Sequence, residues 1–220
     1  MRIIILAALG EEADAVFAGQ GQHGNAGWAP VRAIERLGHQ LAIVTTGIGK
    51  VNTAAAAALM IERHAPDLLL EVGTAGRIGP AAGDCFWLAS AIQHDYGAEQ
   101  PGQFVHYDPG AWPIGPGSVS AYVAMDDPGT GLPHARIASG DAFIACPDHA
   151  RFLSEGLAAD LVDMETAALA QVAERAGLPW AGIKAVTDDA NEGSAGDFHA
   201  NLLAASQRAA SALERLIGLI

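Results

Sequence analysis

The sequence predicts an α/β domain with one sheet covered by helices on both faces. Three observations lead there. Short runs at 2–8, 67–72 and 180–187 are apolar almost throughout, the pattern of strands buried on both faces. Segments of helical composition and period lie between such runs, at 49–64, 164–176 and 197–216. Half of the 220 residues are apolar and 17% are charged, which suits one well-packed domain spanning 1–220 and argues against disorder.

Taken in order, residues 2–8 form a strand. The apolar run from Ile3 to Leu9 is short for a signal-peptide core and turns acidic at Glu11-Glu12. A short helix covers 11–17. Two strands, 28–36 and 40–46, flank a turn at Leu37-Gly38-His39. The helix at 49–64 carries five alanines, Ala54 to Ala58, that permit close packing. Strands follow at 67–72 and 84–92. Residues 94–128 are rich in Gly, Pro and aromatics and read as a long irregular stretch, functional or part of an interface. A short strand lies at 136–139. The helix at 147–155 opens on Pro147, a residue suited to the first helical position. The helix at 164–176 stops at Gly177 with Pro179 beyond. A strand at 180–187 and a long amphipathic helix at 197–216 complete the chain, the helix aligning Leu202, Ala209, Leu213, Leu216 and Ile217.

With 25 acidic and 12 basic residues, the net charge is -13, which disfavours nucleic acid and anionic membrane as partners. No run is long enough to span a bilayer. Cys85 and Cys146 are too few for a disulfide framework and read as reduced thiols of a cytoplasmic protein.

Several motifs fail. Gly47-Ile48-Gly49-Lys50 lacks the Walker spacing and is followed by Val51 rather than Ser or Thr. Gly73-Thr74-Ala75-Gly76-Arg77-Ile78-Gly79 departs from the dinucleotide fingerprint. His149 and His199 lack metal-ligand spacing and read as surface histidines, so no metal is expected. Three acidic residues follow strands, where α/β folds place chemistry: Glu12, Glu165 and Asp188. Singly, each has a plain structural use. Glu12 and Glu165 can complement helix dipoles, and Asp188 can cap a turn.

Jointly they sit in an ordered set of motifs: Thr46-Gly47-Ile48-Gly49-Lys50-Val51-Asn52, Val72-Gly73-Thr74-Ala75-Gly76, Ala82-Gly83-Asp84, Ser139-Gly140-Asp141-Ala142-Phe143, Asp163-Met164-Glu165-Thr166-Ala167-Ala168 and Ala185-Val186-Thr187-Asp188. The set resembles the nucleoside phosphorylase/nucleosidase superfamily over nearly the whole chain, and within it the methylthioadenosine/S-adenosylhomocysteine nucleosidase branch. The resemblance implies a three-layer α/β/α sandwich around a mixed, partly closed sheet, normally a homodimer. It implies hydrolysis of the N-glycosidic bond of a purine nucleoside, in methionine salvage, with no cofactor. Asp188 matches the general acid at purine N7, Glu12 the residue that activates water, and Glu165 the residue that grips the ribose hydroxyls. Met164 packs on the sugar. Phe143 and Ile144 match the purine pocket, Thr74, Ala75 and Gly76 a loop near nucleophile and ribose, and Leu9 stands where methionine is more usual. Lys184 replaces an arginine near the catalytic water, with Thr187 beside Asp188, and Glu71 stands where the branch often has a neutral residue. Gln93-His94-Asp95-Tyr96 keeps the family's His-Asp, after which the stretch to Tyr107 diverges.

Acid at one side of the bond and a water-holding base at the other is what glycosidic hydrolysis requires. A phosphorylase would instead need cations for phosphate, where this chain has Glu11-Glu12 and Glu71. Phosphorolysis, another purine nucleosidase acting on adenosine or futalosine, and a non-catalytic nucleoside binder are the remaining readings.

Overall fold

The computed structural model describes residues 1–220. Its strands are β1 (Arg2–Ala7), β2 (Gln22–Ala26), β3 (Ala29–Arg36), β4 (His39–Thr45), β5 (Leu68–Arg77), β6 (Cys85–Gln93), β7 (Gly97–Gln100), β8 (Gln103–His106), β9 (Tyr122–Val123), β10 (His134–Ser139), β11 (Leu161–Asp163) and β12 (Trp180–Asp188). Its α-helices are α1 (Gly10–Ala15), α2 (Lys50–His64), α3 (Pro147–Leu157), α4 (Thr166–Ala176) and α5 (Ser194–Ile217).

The main sheet runs β11-β10-β6-β12-β5-β1-β4-β3-β2, with β9 added to β6. It is mixed. β1, β4, β5 and β12 are mutually parallel, whereas β6 is antiparallel to β12 and carries β10 and β11 in its own direction. The end of β5 also pairs antiparallel with β11, Gly76 opposite Val162, which closes five strands into a partial barrel. One face packs α1 and α5 through Ile3, Ile5, Leu70, Ile183 and Leu213; the other packs α2 and α4 through Leu6, Leu69, Met60 and Leu169. Each fully buried leucine or isoleucine contributes ~1.5–3 kcal/mol. The three-layer α/β/α sandwich is therefore present.

Several boundaries differ from the sequence expectation, each for a physical reason. β5 continues through Arg77, so Thr74, Ala75 and Gly76 lie in a strand rather than a loop. Small residues there suggest a turn, but backbone pairing with β12 on one side and β11 on the other holds them extended. The first helix ends at Ala15, and Phe17 and Ala18 turn left-handed at φ 50° and 48°. The fourth helix begins at Thr166, where the Asp163 carboxylate accepts the Thr166 N–H at 3.1 Å. The edge strand β2, Gln-His-Gly-Asn-Ala, has no alternating pattern because it is mostly exposed and held by backbone pairing to β3. The stretch 94–128 contains the separate hairpin β7–β8, whose four-residue strands are too short to announce themselves.

Candidate active site

The site lies where two oppositely directed sets of strands converge. The ends of β1, β5 and β12 arrive from one direction, and those of β10 and β11 from the other. Between them is a cavity of about 410 Å³, within the range of small-ligand sites. A larger cavity, about 550 Å³, lies at the opposite end of β1 and β4 beside Arg2 and Gln40, but Glu35 is its single carboxyl.

Glu12 follows β1 on α1 and is 3% exposed. Its Oε2 accepts the Leu9 N–H at 3.0 Å, closing the first turn of its own helix. Its Oε1 accepts the Thr74 N–H at 2.8 Å and the Thr74 hydroxyl at 2.9 Å. The carboxylate is thus fixed from both sides by three donors. Gly73 makes this possible, since a Cβ there would lie 2.7 Å from Glu12 Oε1.

Asp188 ends β12. Its Oδ1 accepts the Ala190 N–H at 3.0 Å, and its Oδ2 lies 2.9 Å from Thr187 Oγ1. The Thr187 hydroxyl also lies 3.3 Å from the Ala75 carbonyl. It has one proton to give. Asn201 on α5 donates to the Thr187 carbonyl at 2.8 Å and ties the strand end to the helix.

Glu165 stands between β11 and α4. Its Oε1 accepts the Gly49 N–H at 3.0 Å, and its Oε2 accepts the Met164 N–H at 3.2 Å. Burial pushes its carboxyl up to about 7; Lys184 opposes that shift and Asp163 adds to it. Gly49 is held in turn through its neighbour, because Lys50 N–H donates to Asp141 at 2.8 Å while Lys50 Nζ pairs with Asp95.

Leu9, Thr74, Ala75, Gly76, Phe143, Met164 and Thr187 share the cavity with Glu12, Glu165 and Asp188. Phe143 is half exposed there rather than part of the core, and meets Phe198 edge-on at 6.1 Å between centroids. Ile144 is 6% exposed, packs in the core around α3, and borders a small adjoining pocket together with Gly76, Phe143, Met164 and Asp188. Lys184 is not on the wall. Fully buried beneath it, its Nζ lies 3.1 Å from Asp163, 3.4 Å from Glu71 and 4.0 Å from Glu165. Burial lowers its affinity for the proton, but the surrounding Asp163, Glu71, Glu165 and Glu12 more than reverse this and raise its pKa. Burial likewise pushes Asp163 up, and Lys184, Ser139 and Thr166 bring it below the usual range.

Sequence reasoning missed Phe198, Ala195 and Ile48 on the wall, and His199, exposed as expected, which borders the cavity. Phe198 continues the stripe Leu202–Ala205–Ala209 by one turn, a signal indistinguishable in sequence from ordinary core. Notably, no lysine or arginine lines the cavity.

A mixed sheet closed into a partial barrel, with the buried carboxyls of Glu12, Asp163, Glu165 and Asp188 at one cavity, defines the class, and the comparisons agree. The family model of the Phosphorylase superfamily matches residues 2–218, and the chain belongs to that superfamily. Among its relatives, the 5'-methylthioadenosine/S-adenosylhomocysteine nucleosidase of Shewanella halifaxensis is 31% identical over 199 residues, covering 82% of this chain and 84% of the relative. The structure of S-adenosylhomocysteine nucleosidase from Streptococcus pyogenes in complex with 5-methylthiotubericidin superposes with a TM-score of 0.83 at 26% identity, covering 99% and 96% of the two chains. Futalosine hydrolase of Helicobacter pylori shares the fold, with a TM-score of 0.87 at 21% identity and full coverage of both chains.

Proposed function

We propose that the protein hydrolyses the N-glycosidic bond of a purine nucleoside, with 5′-methylthioadenosine and S-adenosylhomocysteine as substrates and adenine as product. One observation carries the reading: Glu12, Glu165 and Asp188 face a single cavity whose wall holds no lysine or arginine. Acid-base groups are in place, and a phosphate dianion would find no side-chain cation. The nucleosidase names of the relatives support the same substrate class. Glu71, which the sequence offered as a second argument against phosphate, is buried against Lys184 away from the wall, so that argument rests on the wall itself.

In this mechanism Asp188 donates a proton to purine N7 as the bond from the anomeric carbon to N9 breaks. Glu12, held by Leu9 and Thr74, takes a proton from the water whose oxygen forms the new bond to that carbon. The products are the neutral base and the free sugar. Glu165 accepts the ribose hydroxyls, Met164 packs on the sugar, and the Phe143 ring meets the base. Each acid-base group contributes typically ~10²- to 10⁴-fold.

We infer also that residues 1–220 act as one cytoplasmic domain that pairs into a homodimer, a role suited to the exposed Trp112 and Ile114. Sedimentation analysis checks the pairing; a single monomer species at micromolar concentration rejects it. For the reaction, methylthioadenosine, S-adenosylhomocysteine, adenosine, inosine and futalosine are incubated with and without phosphate. Adenine and free thio-sugar form without phosphate under this reading. Strict phosphate dependence with a ribose 1-phosphate product overturns it and removes the role given to Glu12.

A further inference from the structure

A closed group of four charged side chains runs from the cavity wall into the interior: Asp163 at the end of β11 and Glu165 at the start of α4 line the cavity, and Glu71 on β5 and Lys184 on β12 lie beneath them. Three carboxyls share one ammonium, and no other cation is paired with any of them. Their donors are unevenly divided. Asp163 accepts from Lys184, Ser139 and both the N–H and hydroxyl of Thr166. Glu165 accepts from Gly49 and Met164 and has the ammonium at 4.0 Å. Glu71 has one long bond, 3.4 Å from Lys184 Nζ to Oε1, and its Oε2 has no partner although the residue is 1% exposed. A buried anion with one weak donor is the least tolerable of the three.

We propose that Glu71 is a neutral, proton-bearing positioning residue, which anchors Lys184 through Oε1 and leaves the cation's charge to Asp163 and Glu165, so that Glu165 can bind ribose as an anion. This rests on the nucleosidase reading only for the ribose. The electrostatics run the same way. Burial drives the Glu71 carboxyl well above the usual range; Lys184 opposes this, while Glu165, Asp163 and, from α1, Glu12 reinforce it. Glu71 touches no substrate. It acts through Lys184.

The test compares wild type with Glu71→Gln, Glu71→Asp and Glu71→Leu. Infrared spectra near pH 7.5 read the state of Glu71 without reference to activity. A protonated-carboxyl stretch in wild type that is absent in Glu71→Gln, or displaced in Glu71→Asp should the first variant not fold, is the expected result. Glu71→Gln keeps the charge and should leave the acid limb of kcat/KM where wild type has it. Glu71→Leu removes the oxygen that holds Lys184 and should raise KM roughly fivefold or more with kcat little changed, the split of lost ribose binding. No such band, or an acid limb moved down by about one pH unit in Glu71→Gln, means that Glu71 is ionised in wild type and overturns the proposal. Failure of the nucleosidase reading would show instead as absent turnover in wild type, with the infrared result unaffected.

Discussion

The two halves of β5 and β12 bury chemically opposite side chains. In the lower half, Leu68, Leu69, Leu70, Trp180, Ala181 and Ile183 are at most 3% exposed. In the upper half, Glu71, Thr74, Lys184, Thr187 and Asp188 are at most 7% exposed. Burial alone therefore does not separate scaffold from site. The lower half gains stability from each apolar side chain. The upper half loses it by desolvating charge, and holds together only because each charge finds partners. Such an arrangement survives in a fold whose lower half is stable enough to carry it, and the two halves should answer mutation in opposite measurements.

The largest effect expected is in the upper half. Asp188→Asn removes the carboxyl proposed as the acid while keeping its shape. Turnover should fall ~10²- to 10⁴-fold. Affinity for a nucleoside, measured by calorimetry, should change little, as should the urea midpoint. A variant that turns over at the wild-type rate would remove Asp188 from the chemistry, and a wild type that binds without turnover would make the protein a binder.

Lys184→Met blurs the division. It leaves three buried carboxyls without their cation, and breaking a buried pair from one side costs ~3–5 kcal/mol. The loss should appear in denaturant unfolding as well as in activity. Unchanged stability would mean that the carboxyls take up protons and the cluster carries no structural load. Leu70→Ala is the lower-half counterpart, with an expected loss of ~2–5 kcal/mol and kcat of the folded fraction near wild type. A selective loss of kcat there would show that the two halves are mechanically coupled.

This division also explains what sequence could show. The lower half is legible because apolar runs have one physical use. Glu12, Glu165 and Asp188 were legible as residues following strands, and only their joint order of motifs raised them above helix-end and turn residues. The partial barrel was not legible at β11, since three residues, Leu161–Asp163, carry no periodicity and their pairing to β5 is backbone chemistry. Nor was the placement of Lys184. Its position beside the site is visible in the order of the chain, whereas its burial under the wall depends on Asp163 and Glu71 arriving from two other strands. Phe198 was hidden because a cavity-lining aromatic and a core aromatic occupy the same helical stripe.

The smallest expected effect is a pH dependence, and it tests whether the upper half is held by charge. Glu165 titrates near 7 in the folded protein, above the ordinary glutamic range, with burial as the main cause. Between these values the folded chain keeps a proton that the unfolded chain has released. The contribution of Glu165 to stability is therefore fully present below the unfolded pKa and is lost as pH rises through about 7. Ribose binding runs the other way, because the anion is the better acceptor for two hydroxyls. KM should fall by up to roughly tenfold from pH 6 to pH 8, one pKa unit being about 1.4 kcal/mol of differential interaction. The urea midpoint should drift downward over the same interval. Glu165→Gln should abolish both slopes, leaving KM high and flat. If KM is already flat in wild type, Glu165 is ionised throughout, the charge of Lys184 outweighs burial, and the upper half is held more firmly than its desolvation implies.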